Sequence, residues 1–193
     1  MKRRGGWLLP FLLLVGGMIV DVPPAKAHPH VFVDYGVVLL FGADGLTGVQ
    51  VSWTFDEMFS SMLVDSTKGN PGGALSPAEI KAIEQRHFQP LFLGIRVDGK
   101  LLRIDSVRDF RVNLAADRVT YTFVVPISSR NAGDGTLEIR VDDPAYYIAF
   151  DPRAESPVRW NAPPAYAVNC RVIPSSGRFE SASIQCVYRR KSP

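Results

Sequence analysis

Short runs of β-branched and aromatic residues, each followed by a turn signal, constrain the fold of this chain more than any other feature. The first run is HVFVDYGVVLLF, from His30 to Phe41, and Ala43-Asp44-Gly45 separates it from GVQVSWT at 48–54. Two such runs around a glycine-containing turn predict a β-hairpin. Further strands are predicted at 95–97, 101–107, 108–113, 118–127, 135–141, 146–150, 166–173 and 182–188. The pattern predicts a mainly β, β-sandwich-like single domain, with a division into two lobes as the alternative.

Two helices are predicted after the second strand. Apolar residues recur at helical spacing over residues 55–65, and we assign Met58 and Met62 to the core side of that helix. The second helix begins at Ser76-Pro77-Ala78-Glu79, which combines a capping serine, a proline at the first position and a reciprocating glutamate. Its apolar stripe includes His87, so this histidine is expected to face the core.

The N-terminal residues have the order of a secretory signal peptide. Basic residues precede an apolar run at 7–20, and Ala25-Lys26-Ala27 fits the small-residue pattern of a cleavage site. The run is shorter than the roughly 20 residues that a membrane span needs. We therefore predict removal of residues 1–27 and no stable membrane span afterwards, with a retained anchor as the alternative. Residues 28–193 would form an exported β-rich domain with a helical insertion at about 55–90.

The charge of the predicted mature protein argues against nucleic acid as a partner. The full chain has 22 basic and 19 acidic residues. Four basic residues and one acidic residue leave with the predicted signal peptide, so 18 of each remain. Without a basic excess, the protein lacks the general attraction to phosphates that nucleic-acid binding requires.

The two cysteines, Cys170 and Cys186, lie on either side of the turn-like segment Pro174-Ser175-Ser176-Gly177. An exported protein meets an oxidising environment in which two cysteines generally pair. We therefore predict one disulfide that crosslinks a hairpin. A metal site made of thiolates is the alternative.

The sequence lacks the common catalytic motifs. It contains no Gly-x-Ser-x-Gly elbow, no phosphate-binding glycine loop and no His-Glu-x-x-His. We therefore predict a protein that is not an enzyme. The segment with the most distinctive chemistry is His28-Pro29-His30, which would be the N-terminus of the mature chain.

An N-terminal histidine can bind one metal ion through both its amine and its ring. His28 would gain this ability on cleavage, and His30 would place a second imidazole on the same side of an extended strand. Pro29 has no amide hydrogen, which impairs a square-planar amino-terminal copper or nickel site. We therefore predict a more open site for a divalent nickel, cobalt, zinc or copper ion. Further ligands are expected among His87, Asp34, Asp56 and Glu57.

Each candidate ligand also has a structural interpretation. The two N-terminal histidines could be polar residues of a frayed chain end, and His87 could be a hydrogen-bonded core histidine. Asp56 and Glu57 lie near a helix N-terminus, where carboxylates cap free amides and interact favourably with the helix dipole. Asp34 could simply face solvent.

Three segments of the chain carry a family resemblance: HPHVFVD at 28–34, WTFDEMF at 53–59 and DPAYYIAF at 143–150. Together they resemble the bacterial domain-of-unknown-function 1007 family over nearly the whole mature chain. The resemblance implies a periplasmic component of a transport system, because genes of that family often lie beside nickel/cobalt-type or zinc transporters. It implies an inner-membrane metal transporter as partner, and it supplies no established ligands.

These observations favour a non-enzymatic periplasmic protein that binds a divalent transition metal through His28 and His30. It would pass the metal to or from an inner-membrane transporter. A second hypothesis is a copper-dependent oxidative enzyme with an N-terminal histidine site and His87 as its internal ligand. A third is a metal-independent module that binds a ligand or a protein with its β-sandwich.

Overall fold

A computed structural model describes residues 30–66, 75–87, 92–115, 117–128, 133–175 and 181–191. Within these ranges the chain forms two open sheets and two helices, which confirms the predicted mainly β, sandwich-like single domain. The elements are β1 (Val31–Gly42), β2 (Gly45–Phe55), α1 (Glu57–Ser66), α2 (Pro77–His87), β3 (Leu93–Val97), β4 (Lys100–Leu101), β5 (Arg108–Ala115), β6 (Arg118–Pro126), β7 (Gly135–Val141), β8 (Ile148–Pro152), β9 (Val158–Trp160), β10 (Tyr166–Ile173) and β11 (Ser183–Arg190).

The first sheet, called sheet A, has the strand order β5-β6-β2-β1-β8, and β9 also pairs with β1. The β1–β2 hairpin is confirmed, and its turn ends at Gly45, whose φ of 113° favours glycine. On its other side β1 pairs in parallel with β8 along its first half and with β9 further on. β1 is therefore an interior strand of sheet A, and its start lies between β2 and β8.

The second sheet, called sheet B, has the strand order β10-β11-β7-β3-β4. Cys170 and Cys186 lie directly opposite each other in the β10–β11 pairing and form the predicted disulfide. Because each sulfur is bonded to the other, the alternative of a thiolate metal site is wrong. The inner faces of both sheets supply the core, whose largest fully buried side chains include Trp53, Tyr35 and Tyr121.

Three strand predictions need correction. Of the predicted strand at 101–107, only Leu101 belongs to a strand. The Leu102 amide still donates to the Ile95 carbonyl of β3 at 2.7 Å, and residues 103–107 then lead away from β4 toward β5 in sheet A. The strand predicted from Tyr146 begins at Ile148, since Tyr146 has a φ of 56° that does not fit a strand. β9 was not predicted; it is a three-residue strand held by β1.

The structure confirms the predicted cap of α2 and corrects the side of α1 that was predicted to face the core. Ser76 and Glu79 form the reciprocal capping box, with the Ser76 amide donating to Glu79 at 2.7 Å and the Glu79 amide donating to the Ser76 hydroxyl at 3.3 Å. In α1, however, Met58 and Met62 are 61% and 63% exposed, so their assignment to the core is wrong.

The orientation of α1 follows from a hydrogen bond that its sequence pattern does not reveal. The buried hydroxyl of Ser60 accepts the Val119 amide of β6 at 2.9 Å. This contact turns the face with Phe59 and Leu63 toward the core, where Leu63 is buried and Phe59 stacks on Phe55.

In the part of the chain that the structure describes, neither helix has the length and apolar character needed to span a membrane.

Candidate functional site

The candidate site is an open groove beside the start of β1. Six residues line it, and its volume is about 510 Å³. We call it the N-terminal groove, and its residues are His30, Phe32, Asp56, Glu57, Met58 and Arg118. Two of the three segments that carry the family resemblance contribute to its lining, and the third contacts His30 directly.

His30 is held in place by the turn that precedes β8. The backbone amides of His30 and Val31 both donate to the Tyr147 carbonyl, at 2.8 and 3.2 Å. The His30 ring also lies 5.2 Å from the Tyr147 ring, measured between centroids. The backbone at His30 is thus fixed to the domain, while its side chain is exposed.

The position of Tyr147 depends on the nearly buried carboxylate of Asp143. Its oxygens accept the amides of Ala145, Tyr147 and Ile148 at 2.8, 3.0 and 2.9 Å. This carboxylate therefore satisfies the amides of the turn that leads into β8, up to and including the first residue of that strand. It sets the geometry in which the Tyr147 carbonyl meets His30.

The Asp56 side chain links β1 to α1, and both of its carboxylate oxygens accept hydrogen bonds there. One carboxylate oxygen caps the helix by accepting the Phe59 amide at 2.8 Å, and the other accepts the Phe32 amide at 2.6 Å. The Asp56 amide donates in return to the Phe32 carbonyl at 2.9 Å. The structural interpretation of Asp56 as a helix cap is therefore confirmed, and its oxygens already have strong donors.

Asp34 is held by an ion pair with Arg118. The guanidinium donates to the Asp34 carboxylate at 2.9 Å, and its Nε donates to the Phe55 carbonyl at 2.7 Å. Both side chains are partly exposed, so the pair contributes little to stability. Its effect is to fix Arg118 along one wall of the N-terminal groove and to occupy Asp34.

The apolar residues of the same segments form the core beneath the groove. The Trp53 ring packs against Phe123 and against Phe150, which belongs to the third segment. Phe55 packs against Phe59 and Tyr121. These contacts bring segments that are far apart in the sequence together in the core.

The predicted ligands therefore divide into three groups. His30 and Glu57 line the N-terminal groove with exposed side chains, whereas Asp34 and Asp56 line or flank it with engaged carboxylates. His28 and the side chain of His87 lie outside the described residues. Across the described ranges no three His, Cys, Asp or Glu residues are grouped so that they could hold a metal ion.

Arg118 and Tyr147 are the site residues that the sequence pattern did not indicate. Arg118 opens β6, and nothing in its local sequence shows that it reaches Asp34 on β1. Tyr147 lies in the DPAYYIAF segment, and its position after Asp143-Pro144 was the available signal for an ordered turn.

The fold and this groove define a β-sandwich-like protein in which an exposed histidine directly precedes β1. The chain belongs to the family described as "Protein of unknown function (DUF1007)", whose model matches residues 12–184. The chain is also similar to an uncharacterized protein of Haemophilus influenzae, with 25% identity over 142 residues, covering 70% of this chain and 68% of that protein. Neither description names a catalytic activity.

A search of solved structures found AChBP from Bulinus truncatus, with 13% identity and a TM-score of 0.30. The match covers 88% of this chain and 92% of that chain. At this level the likeness supports no inference about function.

Proposed function

We propose that this protein is a periplasmic accessory protein that binds a divalent transition metal at the N-terminal groove and works with an inner-membrane metal transporter. The observation that best supports the proposal is that the exposed His30 imidazole and the Glu57 carboxylate line the same open groove. His28 lies two residues before His30 in the sequence, and we propose its imidazole as a second nitrogen ligand.

The proposed ligand set is smaller than the set expected from the sequence. Asp34 and Asp56 are excluded from it because their carboxylates are held by Arg118 and by two backbone amides. His87 is left out because it ends α2, which packs against β5. The ligands we propose are His30, Glu57, and the ring and amine of His28 after signal-peptide removal. Imidazole, amine and carboxylate donors suit zinc, nickel, cobalt and copper. In this proposal the metal is cargo, and an open groove permits its transfer one ligand at a time.

The periplasmic location and the transporter partner rest on the predicted signal peptide and on the family resemblance. A protein that collects metal near a transporter needs affinity without a closed coordination shell. A site beside β1, made of His30 and Glu57 and completed by His28, meets that requirement. The predicted non-enzymatic role is consistent with the absence of a named activity in either family description.

The copper-enzyme hypothesis receives less support from the positions of the elements. It requires His87 as an internal ligand, and α2, which ends at His87, packs against β5. β5 lies three strands from β1 in sheet A, a distance of about 14 Å at the usual strand spacing. This arrangement favours metal binding by the N-terminal groove over a shared copper site.

A metal-independent binding function is the second candidate, because exposed apolar side chains surround the N-terminal groove. Phe32 is 54% exposed, Met58 is 61% exposed and Tyr147 is 55% exposed. Aromatic and methionine side chains are typical of protein contact surfaces. In this case the same end of the domain would contact a partner protein, and the histidines would be incidental.

Calorimetric titration of the chain starting at His28, without a tag, tests the proposal with nickel, cobalt, zinc and copper. The comparison protein carries one extra N-terminal alanine, which moves the free amine off His28 and leaves both imidazoles. We expect the extension to weaken binding at least tenfold, about 1.4 kcal/mol. Glu57→Gln should weaken it as well, whereas Glu84→Gln on the separate helix α2 should not.

Two outcomes would overturn metal binding at this site. One is the failure of all four metals to bind more tightly than about 100 μM. The other is tight binding that neither His30→Ala nor the alanine extension weakens. Either result would leave the exposed apolar side chains around the groove as the basis for a metal-independent contact function.

A further inference from the structure

The outward face of sheet A carries a compact polar array that the N-terminal groove does not use. Ser52 and Thr54 on β2 lie opposite Thr122 and Thr120 on β6. All four side chains are half-buried, and the Thr54 and Thr120 hydroxyls are 3.0 Å apart. The two neighbouring strands thus present four hydroxyl groups on one flat face.

Arg153 lies across this array and is held there by hydrogen bonds. Its guanidinium donates to the hydroxyls of Ser52 and Thr54, at 2.9 and 3.2 Å. The absence of a side chain at Gly36 makes room for it, because a Cβ there would lie 3.3 Å from the Arg153 Cδ. Gly36 therefore leaves space on the interior strand β1 for the Arg153 side chain.

The charge of Arg153 is not neutralised by the groups that hold it. Both hydrogen-bond partners are neutral hydroxyls, and among the described residues no carboxylate oxygen lies within ion-pair distance of the Arg153 guanidinium. Arg118 borders the array on one side through its contact with Thr54. Arg111, on β5, lies beside Thr122. Three arginines therefore surround four hydroxyls.

Two aspartates share the face and limit its positive charge. Asp34 is paired with Arg118, and Asp151 lies next to Asp34 in the β1–β8 register. The net charge of these five ionised groups is still positive. Guanidinium groups and hydroxyls together are the usual donors for phosphate and carboxylate groups, because the planar guanidinium can give two parallel hydrogen bonds.

We propose that the outward face of sheet A is a binding site for an oxyanion, a phosphate or carboxylate group, centred on Arg153 and the hydroxyls of Ser52, Thr54, Thr120 and Thr122. We call it the Arg153 face. The group can belong to a small solute or to the headgroup of an anionic lipid. This inference does not depend on metal binding. Its central residues, Arg153 and the four hydroxyls, do not line the groove that holds His30 and Glu57, and Arg118 borders both surfaces.

Two-dimensional NMR titrations with inorganic phosphate and with citrate test the free-solute source. We expect saturable shifts of the Ser52, Thr54 and Thr122 amides, and at least tenfold weaker binding in Arg153→Gln. Gly36→Ala retains every polar group and crowds the Arg153 side chain, so we expect it to weaken binding less than Arg153→Gln does. Arg171→Gln, which removes an exposed arginine from sheet B, is the matched control and should leave binding unchanged.

Vesicles of phosphatidylglycerol and of phosphatidylcholine test the lipid source in a flotation assay. Binding to phosphatidylglycerol that Arg153→Gln abolishes and Arg171→Gln retains would assign the oxyanion to a lipid headgroup. Should Arg153→Gln fail to fold, Thr122→Val tests the same array. The proposal is wrong if neither solute saturates below about 10 mM and vesicles do not bind, or if Arg171→Gln weakens binding as much as Arg153→Gln.

Discussion

The β10–β11 hairpin and the N-terminal groove are stabilised in opposite ways. The hairpin closes over 16 residues and carries its own covalent crosslink between Cys170 and Cys186. The groove depends on contacts between distant parts of the chain, such as Phe32 with Asp56 and Asp34 with Arg118, which are 24 and 84 residues apart. The hairpin is therefore a local structure, whereas the groove requires β1, α1, β6 and the turn before β8 to have come together.

Loss of the disulfide should have the largest effect on stability. Replacing both cysteines, Cys170→Ser with Cys186→Ser, removes a constraint on the unfolded chain, and we expect a loss of about 3 kcal/mol in the free energy of unfolding. Urea denaturation measures it, and reduction of the unaltered protein serves as a control for side-chain effects. If the hairpin and the groove are stabilised separately, the NMR signals of His30 and Tyr147 stay in place while the hairpin signals shift.

Asp56→Ala should act in the reverse direction, on the groove and not on the hairpin. It removes a helix cap and the bond to the Phe32 amide, so we expect a loss of about 2 kcal/mol. Asp56→Asn retains one acceptor and should lose less. Glu57→Ala is the neighbouring control and should change stability little, since its side chain is exposed. Equal losses for Asp56→Ala and Glu57→Ala in urea denaturation would contradict this role.

Tyr35 connects the two regions, and Tyr121 provides its matched control. The buried Tyr35 hydroxyl donates to the Ala182 carbonyl, directly before β11, at 2.9 Å, whereas the buried Tyr121 hydroxyl has no hydrogen-bond partner in the described structure. Tyr35→Phe should therefore cost about 1 kcal/mol, and Tyr121→Phe should be neutral or stabilising by a similar amount. Thermal or urea unfolding measures both changes. A change of the same sign in the free energy of unfolding of both variants would show that the hydrogen bond from Tyr35 to Ala182 is unimportant.

The same two tyrosines predict a loss of stability in alkali. Burial raises the pKa of both phenols, so they keep their protons in the folded protein when the unfolded chain begins to lose them. Below about pH 10 the two states bind these protons equally, and above it stability falls as pH rises. We expect a shallower fall in each phenylalanine variant, measured by urea unfolding between pH 9 and about pH 11. An unchanged slope in both variants would mean that other groups cause the alkaline effect.

Local signals in the sequence were sufficient for the fold class. The β1–β2 hairpin, the Ser76 capping box and the disulfide each depend on residues close together in the chain, and each is confirmed. Helical spacing alone did not orient α1, because residues at that spacing can face either way. The contact that decides the orientation comes from Val119, far from α1 in the sequence. Residues 102–107 have strand-like composition, yet the chain uses them to reach sheet A.

The candidate site was predicted less completely for the same reason. The sequence identified His30, Asp56 and Glu57 as residues that could lie near one another, and the structure places all three along one groove. It could not show which carboxylates are already engaged, because the groups that occupy them come from other strands. Arg118, which holds Asp34, begins a strand that lies two positions from β1 in sheet A.

The parallel pairing of β1 with β8 and β9 has a consequence for the order of folding. β1 is made early, but these partners lie in the last third of the chain, so its outer edge stays unpaired until most of the protein has been synthesised. Pairing of such high contact order is slow to form, and an apolar strand with an open edge is prone to aggregate meanwhile. We therefore expect newly made chains to depend on a chaperone until the Tyr147 carbonyl receives the amides of His30 and Val31.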